Sequence, residues 1–258
     1  MAVLEFFDCD VIVGRRNVVP ADSFWDVASI RAAMERFNVT RAVIYHTVSE
    51  GGDAQRGNAL ADAEAEAVDN FLSSWVLGPP IPGEWPRPRR VVRNLLKSGA
   101  RIARLISHAH LYPISVAMLE ELLTELELRR VPLFVHSATV HCWTDQTDWR
   151  GLGEICEAFP HLPVVALRTG LRTTRPLYRM LERWPNFHVE FSPMTSNYRG
   201  LEHMVKNFGS ERIIFGSIMP EYSPAIPVTQ ILYADLSKKD KRNIAGENLH
   251  RLIERVDV

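Results

Sequence analysis

Cysteine is scarce in this 258-residue chain. Cys9, Cys142 and Cys156 stand far apart with no C-x-x-C pair, which argues against a disulfide framework and against a cysteine zinc site. A reducing, cytoplasmic compartment is the matching expectation. An excess of one charge is also lacking: 30 Lys and Arg face 31 Asp and Glu, a formal net charge of −1. No global field draws such a chain onto nucleic acid or anionic lipid, so neither is expected as a partner. No window approaches roughly 18 uninterrupted apolar residues, and the opening MAVLEFFDCD has no basic stretch leading into an apolar one. Neither export nor membrane insertion is expected. G-x-G-x-x-G, P-loop and G-x-S-x-G patterns are all missing, which leaves nucleotide binding and serine hydrolysis without a carrier.

What is present is a globular composition, 46% hydrophobic and 24% charged, arranged in a rhythm. Short β-rich runs recur at intervals of roughly 25 to 35 residues, most followed by a segment of helical period. The runs are 3–7, 41–46, 75–78, 101–107, 132–136, 162–167, 186–191 and 212–215. Between them, Val27, Ile30, Met34 and Phe37 share one helical face after candidate caps at Asp22 and Ser23, with Asn38 closing the helix. Further helices are expected over 59–72, 89–97, 149–159, 175–184 and 201–208, with closing helices over 226–236 and around 244–253. Leu119, Leu122, Leu123 and Leu126 mark the cleanest amphipathic helix. Eight βα units in this length predict an α/β fold, a (β/α)8 TIM barrel occupying residues 1–258 as one domain. An open doubly wound sheet is the alternative, without a nucleotide fingerprint to support it.

In such a barrel the chemistry belongs at the C-terminal ends of the strands. The first strand runs into FFDCDVIVG, where a period of two puts Asp8, Asp10 and Ile12 on one face and Cys9 on the other, toward the helices. The later strand ends bring His46, Arg104 with His108 and His110, His136, Arg168, Glu190 with Ser192, and Ser217. This is a polar ring.

The segment 4–14, the strand PLFVH after a leucine-rich helix, LPVVALRTG, RIIFGSIMP and NIAGENLHRLI follow one another as landmarks of the amidohydrolase-related barrels, which the chain resembles over nearly its whole length. The resemblance implies a metal-dependent hydrolase or decarboxylase. In that family an H-x-H pair on the first strand, histidines on the fifth and sixth and an aspartate on the eighth hold divalent metal. Here Asp10 and Ile12 stand in place of the H-x-H pair, Arg168 in place of the sixth-strand histidine and Ile218 in place of the aspartate; only His136 remains. A guanidinium has no lone pair to offer. No metal and no other cofactor is therefore expected, and the chain resembles a metal-deficient branch.

Asp10 and Arg168 have complementary charge, and an ion pair between them is expected where the metal would sit. Such a pair either satisfies the barrel mouth or leaves Arg168, with Arg104 and Arg172, to anchor a carboxylate or phosphate. His136 and Asp10 are the candidate catalytic groups, His136 as a general base near neutrality; Arg168, Arg104, His46, His110 and Glu190 are the candidates for holding a substrate. A metal site relocated to His46, His108, His110 and His136 is the less favoured reading. Cys142 beside His141, and Ser137 and Ser217, make weak nucleophiles, while Trp143 and Trp149 could cover an apolar ligand. The arginines at 87, 89, 90 and 93 read as a solvated helix face. The leading expectation is a metal-free protein that binds a small, anionic molecule or an inactive relative. The alternative is a hydrolase or decarboxylase of a small carboxylate, metal-independent or with a rearranged metal site. A homo-oligomer is compatible with apolar barrel helices.

Overall fold

The computed structural model describes residues 4–16, 23–81, 85–137, 147–193, 195 and 198–258. Asp22, His141, Cys142 and Trp143 lie outside the described residues. The strands are β1 (Phe6–Val13), β2 (Val39–His46), β3 (Phe71–Ser73), β4 (Trp75–Leu77), β5 (Ala103–Leu105), β6 (Leu133–His136), β7 (Val164–Leu167), β8 (Phe187–Phe191) and β9 (Ile213–Phe215). All pair in parallel, β1-β2-β3 in one ladder and β4 through β9 in the other. Ser74 joins the ladders: its N–H and its hydroxyl both donate to the Ile44 carbonyl at 2.9 Å, so β3 and β4 are halves of one barrel strand. At the other edge the Ile12 N–H donates to the Met219 carbonyl at 2.8 Å, which brings β1 against the chain leaving β9. The result is a (β/α)8 barrel without a free edge.

Alternation along each strand divides the core. Leu133 and Val135 face the helices, while Phe134 and His136 point inward. Helix α5 (Val116–Leu128) shows why the outer layer forms: Ser115 caps it by accepting from the Met118 N–H, and Leu119, Leu122, Leu123 and Leu126 bury one stripe. Each such leucine contributes about 1.5–3 kcal/mol by leaving water.

Most predicted boundaries agree with the structure to within about three residues. Three do not. Strand β1 extends through Asp8 and Asp10 to Val13, because these carboxylates, poor strand formers in general, find partners inside the barrel, backbone N–H groups at Asp8 Oδ1 and guanidinium groups at Asp10. The helix expected over 59–72 is α3 (Ala54–Glu66), started by Asp53 accepting from the Arg56 N–H, and Phe71 and Leu72 belong to β3. Helix α1 (Val27–Arg36) is capped by Asp26, not Ser23; Asn38 does close it, at φ 55°. Cys9 also corrects the expectation. The β1–β2 register slips between Asp8 and Val11, so one extra residue sits in β1. That bulge turns Cys9 inward to pack with Phe7, Val43 and Phe134.

Candidate functional site

Asp10, fully buried, is the centre of the site. Its Oδ2 accepts from Arg168 Nε at 2.7 Å; its Oδ1 accepts from Arg104 Nη1 at 2.9 Å and from Arg168 Nη2 at 3.2 Å. Strand β1 supplies the carboxylate, β5 supplies Arg104 and the residue after β7 supplies Arg168, at φ 56°. The expected Asp10–Arg168 pair is therefore present, bidentate, and Arg104 joins it with a single bond. Both guanidinium groups are further tied down. Arg104 donates from Nε to Ser74 Oγ at 2.6 Å and from Nη2 to the Cys9 carbonyl at 2.6 Å. Arg168 Nη2 donates to Tyr45 Oη at 2.9 Å. Burial alone would push the Asp10 carboxyl up, but the two guanidinium groups outweigh it and hold the carboxyl below its ordinary value.

Two more carboxyls flank this triad. Asp8 Oδ1 accepts from the N–H groups of Asp10 and Ser217, each at 3.0 Å, and Glu190 Oε2 accepts from the Arg168 N–H at 2.6 Å. Burial raises Asp8 to about 7 and Glu190 to about 8. Glu190 lies across Gly216, where a Cβ would come within 2.0 Å of Oε1. Glycine is required there by close approach.

His136 closes the cluster. Arg104 Nη1 lies 3.1 Å from its Nε2, and since arginine only donates, Nε2 accepts and the proton sits on Nδ1. Burial and the two arginines hold its pKa well below the ordinary value, so the ring is neutral. Several polar atoms here are sealed from solvent and have no hydrogen-bond partner among the described residues: Arg168 Nη1, His136 Nδ1, Ser137 Oγ, Glu190 Oε1, Asp8 Oδ2 and both ring nitrogens of His108. Leaving one such group unmade costs about 1–3 kcal/mol, so a concentration of them marks a place built for something else.

Asp10, Arg104, His136, Arg168 and Glu190 are brought together as the strand ends foretold. His46 and His110 are placed elsewhere: His46 Nδ1 accepts from the Val48 N–H and starts the short helix α2 (Thr47–Glu50), and His110 Nε2 donates to the Ser49 carbonyl at 2.8 Å. Arg172 is exposed. Tyr45 was missed by the sequence reading, although its period-two relation to Val43 pointed it inward. His108 and Ser137 were noticed in the sequence but set aside as an ordinary loop histidine and a weak nucleophile. An open groove of about 720 Å³ runs along the outside of the barrel past Arg175, Tyr178, Phe208 and Arg212 and contains none of these groups.

A closed parallel barrel with its ionisable groups gathered at the C-terminal strand ends defines the class: a (β/α)8 barrel of the hydrolase-like kind. The amidohydrolase family model matches residues 14–254, and the chain belongs to that family. It is similar to a 2,6-dihydroxybenzoate decarboxylase from Rhizobium at 15% identity and TM-score 0.76, covering 98% of this chain and 99% of that one. A 5-carboxyvanillate decarboxylase from Sphingomonas paucimobilis matches at 14% identity and TM-score 0.76, over 98% and 99% of the two chains. A dihydroxybenzoic acid decarboxylase from Polaromonas, solved with manganese and 2-nitroresorcinol bound, matches at 13% and 0.76, over 98% and 97%. At these identities the likeness shows the fold. A search of curated proteins gave no match.

The residues at the family's metal position do not fit a divalent cation. Both oxygens of Asp10 already accept from guanidinium nitrogens, and His136 Nε2 accepts from Arg104 Nη1 as well. Ile12 and Ile218 are buried hydrocarbon facing Tyr45 and Ile106. A cation placed between Asp10 and His136 would meet two arginine charges, and the Asp10 oxygens and His136 Nε2 that would bind it are already bonded to them.

Proposed function

We propose that this amidohydrolase-family barrel recognises a small carboxylate at the C-terminal end of its strands through Arg168, without a divalent metal. The observation that carries the reading is Arg168 Nη1, a charged N–H donor in a fully buried side chain whose other two nitrogens are spoken for, left without a partner. Charge supports it. Below about pH 7, where Asp8 and Glu190 are both protonated, two guanidinium groups face the single anion Asp10, and the buried cluster carries one positive charge in excess. A monoanion held by Arg168 neutralises it, and a charge-assisted bond of this kind is among the stronger ones available. Titration calorimetry of chelator-treated protein with benzoate and acetate tests this. Binding that persists without metal and falls at least tenfold in Arg168→Lys is expected; no binding, or binding only after manganese is added, would overturn it.

A decarboxylase or hydrolase of such a carboxylate is the second reading, favoured by Glu190. A buried carboxylic acid that stays protonated to about pH 8, with Oε1 free, is a proton donor suited to the carbon that loses carbon dioxide. The likeness to solved decarboxylases supports the same direction. Carbon dioxide release from hydroxybenzoates by wild type but not by Glu190→Gln separates an enzyme from a binding protein.

A further inference from the structure

The two helices that follow β4 and β5 carry charge of one sign each. Helix α4 (Pro88–Lys97) exposes Arg89, Arg90, Arg93 and Lys97, with Arg87 exposed just before it, and has no acidic residue. Helix α5 has Glu120 and Glu121 exposed and Glu125 half-exposed, and no basic residue. Every other charged helix of eight or more residues among those described mixes both signs, and two of them pair the signs internally, Arg150 with Glu154 and Arg179 with Glu182. Among the described residues none of the five cations at α4 and none of these three glutamates is in an ion pair. Each helix is also charged against itself. Arg89, Arg93 and Lys97 follow one another at steps of four, as do Glu121 and Glu125, a spacing at which like charges repel. The cations of α4 begin at the positive end of the helix dipole with no acidic residue to offset them, and the last turn of α5 has no basic residue. Local rules broken on two adjacent helices, with nothing in the chain to compensate, mark a surface made for opposite charge.

We propose that α4 and α5 are the two halves of a self-complementary interface whose partner is a second copy of this chain. The helices pack side by side, with Val91 and Leu122 in one buried cluster, and run in the same direction because each links parallel strands. A two-fold axis lying between them and along them sets α4 of each copy over α5 of the other, so one set of contacts is made twice. The lengths match: Arg89 to Lys97 covers about 12 Å, and the α5 stripe of Met118, Glu121, Glu125 and Leu128 about 15 Å. Met118 and Leu128, 41% and 66% exposed at the ends of that stripe, are apolar surface for the hydrocarbon stems of the facing arginines to cover. A nucleic acid or an anionic membrane fits less well. Either presents negative charge across a face wider than one helix and meets the glutamates of α5 beside the arginines of α4, whereas a second copy matches both helices at once.

Sedimentation of the full chain tests the interface. Exposed ion pairs are individually weak, so wild type is expected to be a dimer at roughly 0.1 mM chain and about 50 mM salt, with a dissociation constant at least about tenfold higher at about 500 mM salt. Arg89→Glu, Arg93→Glu and Lys97→Glu together set glutamates against Glu121 and Glu125. Glu121→Lys with Glu125→Lys sets lysines against the arginines of α4. Each of these two variants alone should be monomeric. Mixed one to one they should form a heterodimer, because an acidic stripe then faces a basic one at both contacts. Monomeric wild type under these conditions, a dimer that survives either set of reversals, or two monomeric variants that do not combine would overturn the interface. Monomeric wild type that binds phosphatidylserine vesicles or duplex DNA through these arginines would assign them to a polyanion and overturn it as well. The altered side chains are exposed or half-exposed, and circular dichroism melts matching wild type separate loss of contact from loss of fold.

Discussion

Asp10 is shared by two arginines, and that sharing makes its two simplest replacements unequal. In Arg168→Met the carboxylate keeps its bond to Arg104, and the charge excess of the cluster disappears. In Asp10→Asn both guanidinium groups lose their counterion. Nη1 of Arg104 and Nη2 of Arg168 bond the same oxygen and therefore lie within about 6 Å of each other, so at an effective dielectric of 20 their repulsion is about 3 kcal/mol. Loss of the charge-assisted bonds adds to it. Breaking a buried pair typically costs about 3–5 kcal/mol; Asp10→Asn is expected at the upper end of that range or beyond, and Arg168→Met below about 3. The double variant removes one of the two orphaned cations, so it should be more stable than the sum of the singles by more than about 1 kcal/mol. Urea unfolding of wild type, both singles and the double measures all four corners. Equal costs for the two singles, or additivity within about 0.5 kcal/mol, would refute a shared buried pair.

Other consequences follow from the same groups. Asp8 and Glu190 have raised pKa values, about 7 and about 8, so between their unfolded values and these the folded protein holds protons that the unfolded chain releases. Stability should fall as pH rises from 6.5 to 8.5, by up to about 1.4 kcal/mol per pH unit for each proton, and Glu190→Gln should flatten the upper part of that decline. The lowered pKa of His136 acts with the opposite sign and only below its ordinary value, so it leaves this window untouched; a flat profile from 6.5 to 8.5 would count against buried, protonated carboxyls. Gly216→Ala should cost about 2 kcal/mol or more by displacing Glu190, and should cost much less in a Glu190→Ala background; equal costs in both would reject the contact. Cys9 and Cys156, both buried and with thiols pushed up in pKa by burial, should resist a disulfide reagent until the protein is unfolded.

Much of this architecture was legible in the order of residues because barrel strands and helices announce themselves by period. The gathering of Arg104, His136 and Glu190 followed from their place at strand ends, and the partnership of Asp10 with Arg168 followed from charge. The share of Arg104 in that pair was hidden, since reach across a barrel depends on strands 94 residues apart in sequence. The bulge in β1 was hidden for a related reason: it is a mismatch with β2, and a single strand does not display its pairing. His108 carried a signal in its H-x-H spacing. That spacing suggested metal, whereas its unbonded nitrogens are a property of surroundings drawn from β6, β7 and α2.

The account stands on Arg168 pairing with both oxygens of Asp10 and offering its remaining nitrogen to a carboxylate. A crystal structure of protein soaked in manganese and benzoate, with anomalous data at a manganese-sensitive wavelength, tests this directly. The account predicts Arg168 on both oxygens of Asp10, benzoate on Arg168 Nη1 and no anomalous peak at Asp10. A manganese peak bonded to Asp10 and His136, with Arg168 swung away, would contradict it.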